Sequence, residues 1–229
     1  MKLSVLQIQK LYDFTRQHYV EYYDLQTELV DHLANAIEEQ WKEIPTLSFE
    51  EALQKEFKKF GVFGFMDVVE QRQKAMNKKY NVLVWHHLKS FFRLPQIIGT
   101  LLSILLLFQM MKNIQFSTEV ASILTFIILI SFWSGMILMN IKRKKIVKEE
   151  GKKWLLKDII YGYSSMAGMS YLPLQLFIQI EHNHNQTMLF IMSVVIVLML
   201  LIEYITFFVI PSKASEYLKQ TYPEYELVR

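Results

Sequence analysis

Four stretches of this chain run without a charged side chain for about the length a helix needs to cross a lipid bilayer, and they constrain the fold more than any motif. Between Arg93 and Lys112 lie 18 uncharged residues, and between Glu119 and Lys142 lie 22. Between Asp158 and Glu181 lie 22, and from Glu181 to Glu203 another 21, after which the apolar pattern continues to Ile210. A helix rises about 1.5 Å per residue, so about 20 apolar residues span a hydrocarbon core of about 30 Å. The spacing predicts four transmembrane helices, about 94–111, 120–141, 159–180 and 187–210. A composition of 52% hydrophobic against 21% charged residues excludes a disordered chain, a coiled coil and a purely water-soluble globule. The absence of cysteine excludes disulfides, thiol catalysis and cysteine-type zinc sites. A net charge of +3, with the basic residues grouped beside apolar runs, is too mild to point to nucleic acid.

Basic residues set the expected orientation. The connection after the second span holds Lys142, Arg143, Lys144, Lys145, Lys148, Lys152, Lys153 and Lys157, whereas the connection after the first holds only Lys112. The turn after the third, EHNHNQ, has no Lys or Arg. The positive-inside rule places the lysine-rich connection in the cytoplasm, and with it both termini, including the tail 211–229. The expected location is the inner membrane. The plain reading of the basic run is a topology signal; the sharper one is a site for anionic lipid or a partner. Trp85, Trp154, Tyr161 and Tyr163 fit an inner aromatic belt. Met1 to Gln40 is polar and helical in pattern, so no cleavable signal peptide is expected.

Residues 1–80 read as a small helical domain. Ser4 with Gln7, and Ser48 with Glu51, are capping-box patterns. Asp24 is placed to cap a second helix, on which Leu25, Leu29, Leu33, Ile37 and Trp41 recur every four residues and share one face. Pro45 ends that helix. A third runs through Ala52, Leu53, Phe57 and Phe60, and Gly61 sits where a helix end favours a left-handed residue. A fourth begins near Phe65 to Asp67 and runs to about Lys79. Residues 81–93 form an amphipathic lead-in: the run VLVWHHLKSFFRL, Val82 to Leu94, reads either as an interfacial helix or as a continuation of the fourth helix.

The runs ELVDHLANAIEE (Glu28 to Glu39), LSFEEAL (Leu47 to Leu53) and KKFGVFGFMDVVEQ (Lys58 to Gln71) resemble the HAAS-type and permease-prefix domains. The resemblance covers about residues 10–76, and Gly61-Val62-Phe63-Gly64 stands where that group has an L-G-D-P-like break. It implies a short cytoplasmic helical module in front of several membrane helices. Such modules are often encoded beside PadR-type transcription regulators, and some precede ABC-transporter permeases.

Few residues carry candidate chemistry. Glu203 is the one acidic residue inside a span. Carboxylates in hydrocarbon are costly, so it marks either a polar pathway or a helix-end carboxylate paired with Lys157 or Lys213. Glu181, His182 and His184 are the only weak metal-ligand candidates, on the external turn, and their plain reading is a polar loop. Adjacent Asp31 and His32 point about 100° apart on a helix and make no acid–base pair. His86 and His87 could sense pH or simply contact headgroups. No P-loop, nucleophile elbow, dinucleotide fingerprint or H-E-x-x-H occurs, so no catalytic residue and no cofactor is expected. Ser131 with Gly135, and Ser164 with Gly168, are small residues four apart that let helices approach closely, within one bundle or across a homodimer face. Glu28, Asp31, Glu38 and Glu39, off the apolar stripe, are the candidate partner-facing residues.

The expectation is an all-α protein, a cytoplasmic helical domain joined to a four-helix transmembrane bundle, with lipid and a protein as its partners. Its first functional reading is non-enzymatic signalling, regulation or partner docking. The alternatives are an accessory subunit of a membrane transporter, ABC-type systems included, and a small autonomous transporter.

Overall fold

The computed structural model describes residues 2–113, 118–162, 185–222 and 225, with side chains from 123 onward in the second of these stretches. Every regular element among them is helical: α1 (Val5–Gln17), α2 (Tyr23–Glu43), α3 (Phe49–Phe57), α4 (Met66–Ser90), α5 (Gln96–Asn113), α6 (Thr118–Glu150), α7 (Leu155–Gly162), α8 (Gln186–Ser212) and α9 (Ala214–Thr221). They fall into two compact units. The first holds residues 1–78 and 147–158; the second holds 79–146 and 159–228.

In the first unit the local signals act as their chemistry dictates. The Ser4 and Ser48 side chains each accept the backbone N–H three residues on, and Gln7 and Glu51 reach back, so both capping boxes are complete. Leu25, Leu29, Leu33, Ile37 and Trp41 of α2 are all buried. Each such burial contributes roughly 1.5–3 kcal/mol relative to exposure, which outweighs the helix's modest intrinsic propensity. Leu11 of α1, and Phe49, Ala52 and Leu53 of α3, close over this stripe. Phe14, His18, Phe57, Phe60 and Phe65 stack edge-to-face at one end of the core. A 3-10 turn, Lys58–Phe60, leads to Gly61 at φ +76°, the positive backbone angle that glycine adopts at least cost.

One cap differs from expectation. The residue preceding α2 is Tyr22, which makes no side-chain cap, and Asp24 lies inside the first turn, buried. Its carboxylate serves a different helix, as described below. Of the two readings of the lead-in, the structure has the continuation: α4 runs unbroken from Met66 to Ser90.

In the second unit, three helices among the described residues are long and apolar enough to cross a membrane: Gln96–Asn113, Ile123–Glu150 and Gln186–Ser212. At 1.5 Å per residue the shortest is about 27 Å long and the others about 40 Å. Helix α6 continues well past Lys142, because Lys, Arg and Glu are good helix formers although no membrane would hold them. Helix α5 packs against α8, with Met111, Leu189 and Met192 buried between them and Leu124 of α6 alongside. A π-turn, Ile205–Val209, interrupts α8. Residues 163–184, and with them most of the third span, lie outside the described residues.

Candidate functional site

Two polar sites stand out, one in each unit. The first joins the start of α2 to residues 152–158. The Tyr23 N–H donates to the Lys153 carbonyl at 2.8 Å, and the Leu155 N–H donates to Asp24 Oδ1 at 3.1 Å. Leu155 opens α7, and the first N–H groups of a helix have no partner within it. Asp24 therefore caps α7 across 131 residues of sequence. Lys153 Nζ lies 2.7 Å from Glu21 Oε2 and 3.9 Å from Asp158 Oδ2. The Tyr22 hydroxyl donates to Asp158 Oδ2 at 3.4 Å. Lys152 lies over the Tyr23 ring and Lys153 over the Tyr22 ring, both within the range of a cation–π contact. Trp154, only 3% exposed, meets Tyr23 edge-on, and Leu155 and Leu156 are buried beside it.

The electrostatics hold this arrangement in one charge state. Burial pushes the Tyr22 hydroxyl above the usual tyrosine range, and the Asp158 charge adds to the shift, so the phenol stays neutral. For Lys153, burial alone would depress the ammonium. The hydrogen bond that Lys153 donates to Glu21 and the charges of Asp158 and Glu21 outweigh it and raise the pKa. Lys157 is paired with Glu150.

The second site lies in the apolar unit. Ser131 of α6 donates to Glu203 Oε1 of α8 at 2.8 Å. One turn along, a Cβ added to Gly135 would come within 2.7 Å of the Phe207 ring, and Phe132 meets the same ring edge-on. The small-residue step of α6 thus brings α8 close enough for the carboxylate to find a hydroxyl. The hydrogen-bond partner of Glu203 among the described residues is thus the Ser131 hydroxyl. Thr206, in the adjoining π-turn, is fully buried, and its hydroxyl has no hydrogen-bond partner among the described residues.

The other expected residues are dispersed. Glu28 pairs with Arg72 at 3.4 Å, and Glu38 accepts the Leu3 N–H at 3.0 Å. Asp31 accepts from Asn35, and Glu39 is exposed. Three of the four partner-facing candidates therefore already hold contacts within the helical unit. His32 is exposed, edge-on to Phe60. His87 Nε2 lies 2.6 Å from the Tyr217 hydroxyl, tying α4 to α9. Burial, then the charges of Lys213 and His86, lower its pKa, so the ring is neutral through most of the physiological range. Glu181, His182, His184, Ser164, Gly168 and Tyr163 lie outside the described residues. Among the described residues no three His, Asp or Glu side chains are placed to hold a metal ion.

Reading the sequence alone misses Glu21, Tyr22, Tyr23 and Lys153. The available signal was Trp154-Leu155-Leu156, an apolar triplet inside a lysine-rich connection that a solvated loop has no reason to carry. Trp154 belongs to the core of the helical unit rather than to an aromatic belt. Comparison with protein-family models, curated proteins and solved structures finds no match for this chain.

Proposed function

We propose that this is a non-enzymatic integral membrane protein that couples a cytoplasmic helical module to a four-helix transmembrane bundle, in a signalling or regulatory role. The observation that carries the reading is the Asp24 cap on α7 with the Lys153 ion pairs around it. These contacts make residues 147–158, the connection between the second and third spans, part of the same compact unit as the N-terminal helices. A partner bound to the module would thereby act on the ends of two spans through a hydrogen-bonded and ion-paired link. The lysine-rich connection supports the module and both termini lying inside, at the inner membrane, with residues 159–180 as the remaining span. Apolar side chains left exposed along α5 and α6, among them Leu101, Leu105, Leu106, Ile127, Ile130 and Leu138, fit lipid as solvent. The resemblance to HAAS-type and permease-prefix modules fits a regulator or a transporter component as partner.

A second reading, an accessory subunit of a transporter or a small carrier, draws on the Ser131–Glu203 pair beside the π-turn, since π-turns recur at functional sites. One polar pair is a thin basis for a substrate pathway, which favours the accessory role.

Because the chain has no cysteine, single substitutions give unique labels. With an impermeant maleimide on intact cells, Lys112→Cys should be labelled and Lys148→Cys should not; labelling of the latter would contradict the orientation. Affinity purification in mild detergent should then recover a regulator or a membrane component. Recovery should fall for Asp24→Ala if the link matters, and recovery equal to that of the parent chain would contradict the coupling.

A further inference from the structure

The helical unit carries an apolar surface around residues 62 and 63 that its own core does not use. Val62 is 96% exposed and Phe63 68% exposed, and Tyr19 and Met66 are also exposed. Tyr19, Phe63, Met66 and Val69 line one groove of about 570 Å³ together with Asp67, Glu70 and Gln73, and Val62 stands next to Phe63 in sequence. The turn that presents it has a defined backbone geometry. Gly61 and Gly64 bracket Val62-Phe63 at positive φ, +76° and +54°, and a Cβ on Gly64 would come within 2.8 Å of the Phe57 ring. Backbone bonds from Gly61 to the Lys58 carbonyl and from Met66 to the Phe63 carbonyl close it on both sides. A collapsing loop would fold these side chains inward; this one holds them out.

We infer that this turn is a lipid-docking element that inserts Val62 and Phe63 into the anionic inner leaflet. Charge favours that occupant. Glu70 is neutralised by Lys74, Glu56 by Lys59, and Asp67 lies in the first turn of α4, where the helix N-terminus offsets its charge. Exposed Lys55 and Lys58, just before the turn, remain to meet acidic headgroups. Tyr19, an exposed aromatic held at φ +64°, suits the headgroup layer. Val62 also protrudes, as a membrane-inserting tip does. The inference rests on the membrane reading above and adds a second attachment of the module to the bilayer.

The test uses the full chain in lipid nanodiscs containing phosphatidylglycerol, with an environment-sensitive fluorophore on Val62→Cys. Glu39→Cys reports an exposed position of the same module, and Leu106→Cys one expected in the bilayer. Spin-labelled lipid should quench the label at position 62 several-fold more than at 39, and less so in purely zwitterionic discs. Quenching at 62 no greater than at 39, while 106 is quenched, overturns the docking element and leaves the membrane reading standing. Blue-shifted emission at 62 without lipid quenching also overturns it, in favour of a protein occupant or a second copy. Absence of quenching at 106 overturns the membrane reading itself.

Discussion

The two units use the same side chains in opposite ways. In the helical unit Leu33 and Ile37 are fully buried, and charged residues such as Asp31, Glu39 and Lys42 face outward. In the other unit the outward-facing residues are themselves apolar: Leu106 is 70% exposed, and Phe126, Ile130 and Leu138 share its situation. Polar groups there, Ser131 and Glu203, turn toward each other. One unit turns its apolar side chains inward, and the other carries three helices apolar enough to cross a membrane among its described residues. The contrast teaches that burial inside the chain measures stability for the first unit and says little about the second.

That contrast can be broken from either side. The largest effect should come from Leu33→Ala, which opens a cavity in the helical core and should cost about 2–5 kcal/mol. Leu106→Ala should leave stability in detergent or nanodiscs nearly unchanged. Equal losses for the two in thermal or denaturant unfolding would erase the distinction. Gly135→Leu should come next. It places atoms where the Phe207 ring already sits and should cost about 1–3 kcal/mol through separation of α6 and α8. Gly99→Ala, at a position open to space, should cost far less. Asp24→Ala should cost about 1–3 kcal/mol, because it leaves the Leu155 N–H without its acceptor. Its signature should be loosening of residues 147–158 with the α1–α3 core intact, read by limited proteolysis.

Alkaline pH should give a smaller effect. The folded-state pKa of Lys153 is raised, so its contribution is complete below the ordinary lysine range and is lost as pH climbs through the folded value. Tyr22, also raised, resists ionisation and destabilises the unit once forced to ionise. Between about pH 6 and pH 9 these two groups should leave stability flat, with loosening above that range. Lys153→Met should flatten most of the alkaline slope. The smallest effect should be that of Lys10→Gln. Its pair with Glu50 is largely exposed, and such pairs are screened by solvent, so no measurable change is expected.

Local features were legible in the sequence wherever the physics is local. The two capping boxes, the stripe from Leu25 to Trp41 and the glycine at 61 all declare themselves within a few residues. Hydrophobic run length marks the apolar helices but not their ends: α6 continues to Glu150 because helix propensity and membrane solvation are different properties. Asp24 was misread as a local cap. A carboxylate near a helix start looks the same whether it serves that helix or another, and only its burial beside Leu155 separates the two. The cluster at Lys153 needed contacts more than 130 residues apart. The meeting of Ser131 with Glu203 was hidden likewise, although each residue was singled out alone.

The account depends most on residues 147–158 being held by the start of α2, and the Leu155 amide reports that directly. As the first residue of α7 it has no acceptor within its own helix, so any protection must come from Asp24. Hydrogen–deuterium exchange on the full chain in nanodiscs should find this amide protected, and protection should disappear in Asp24→Ala while the α2 amides stay slow. Free exchange at Leu155 in the parent chain would contradict the account.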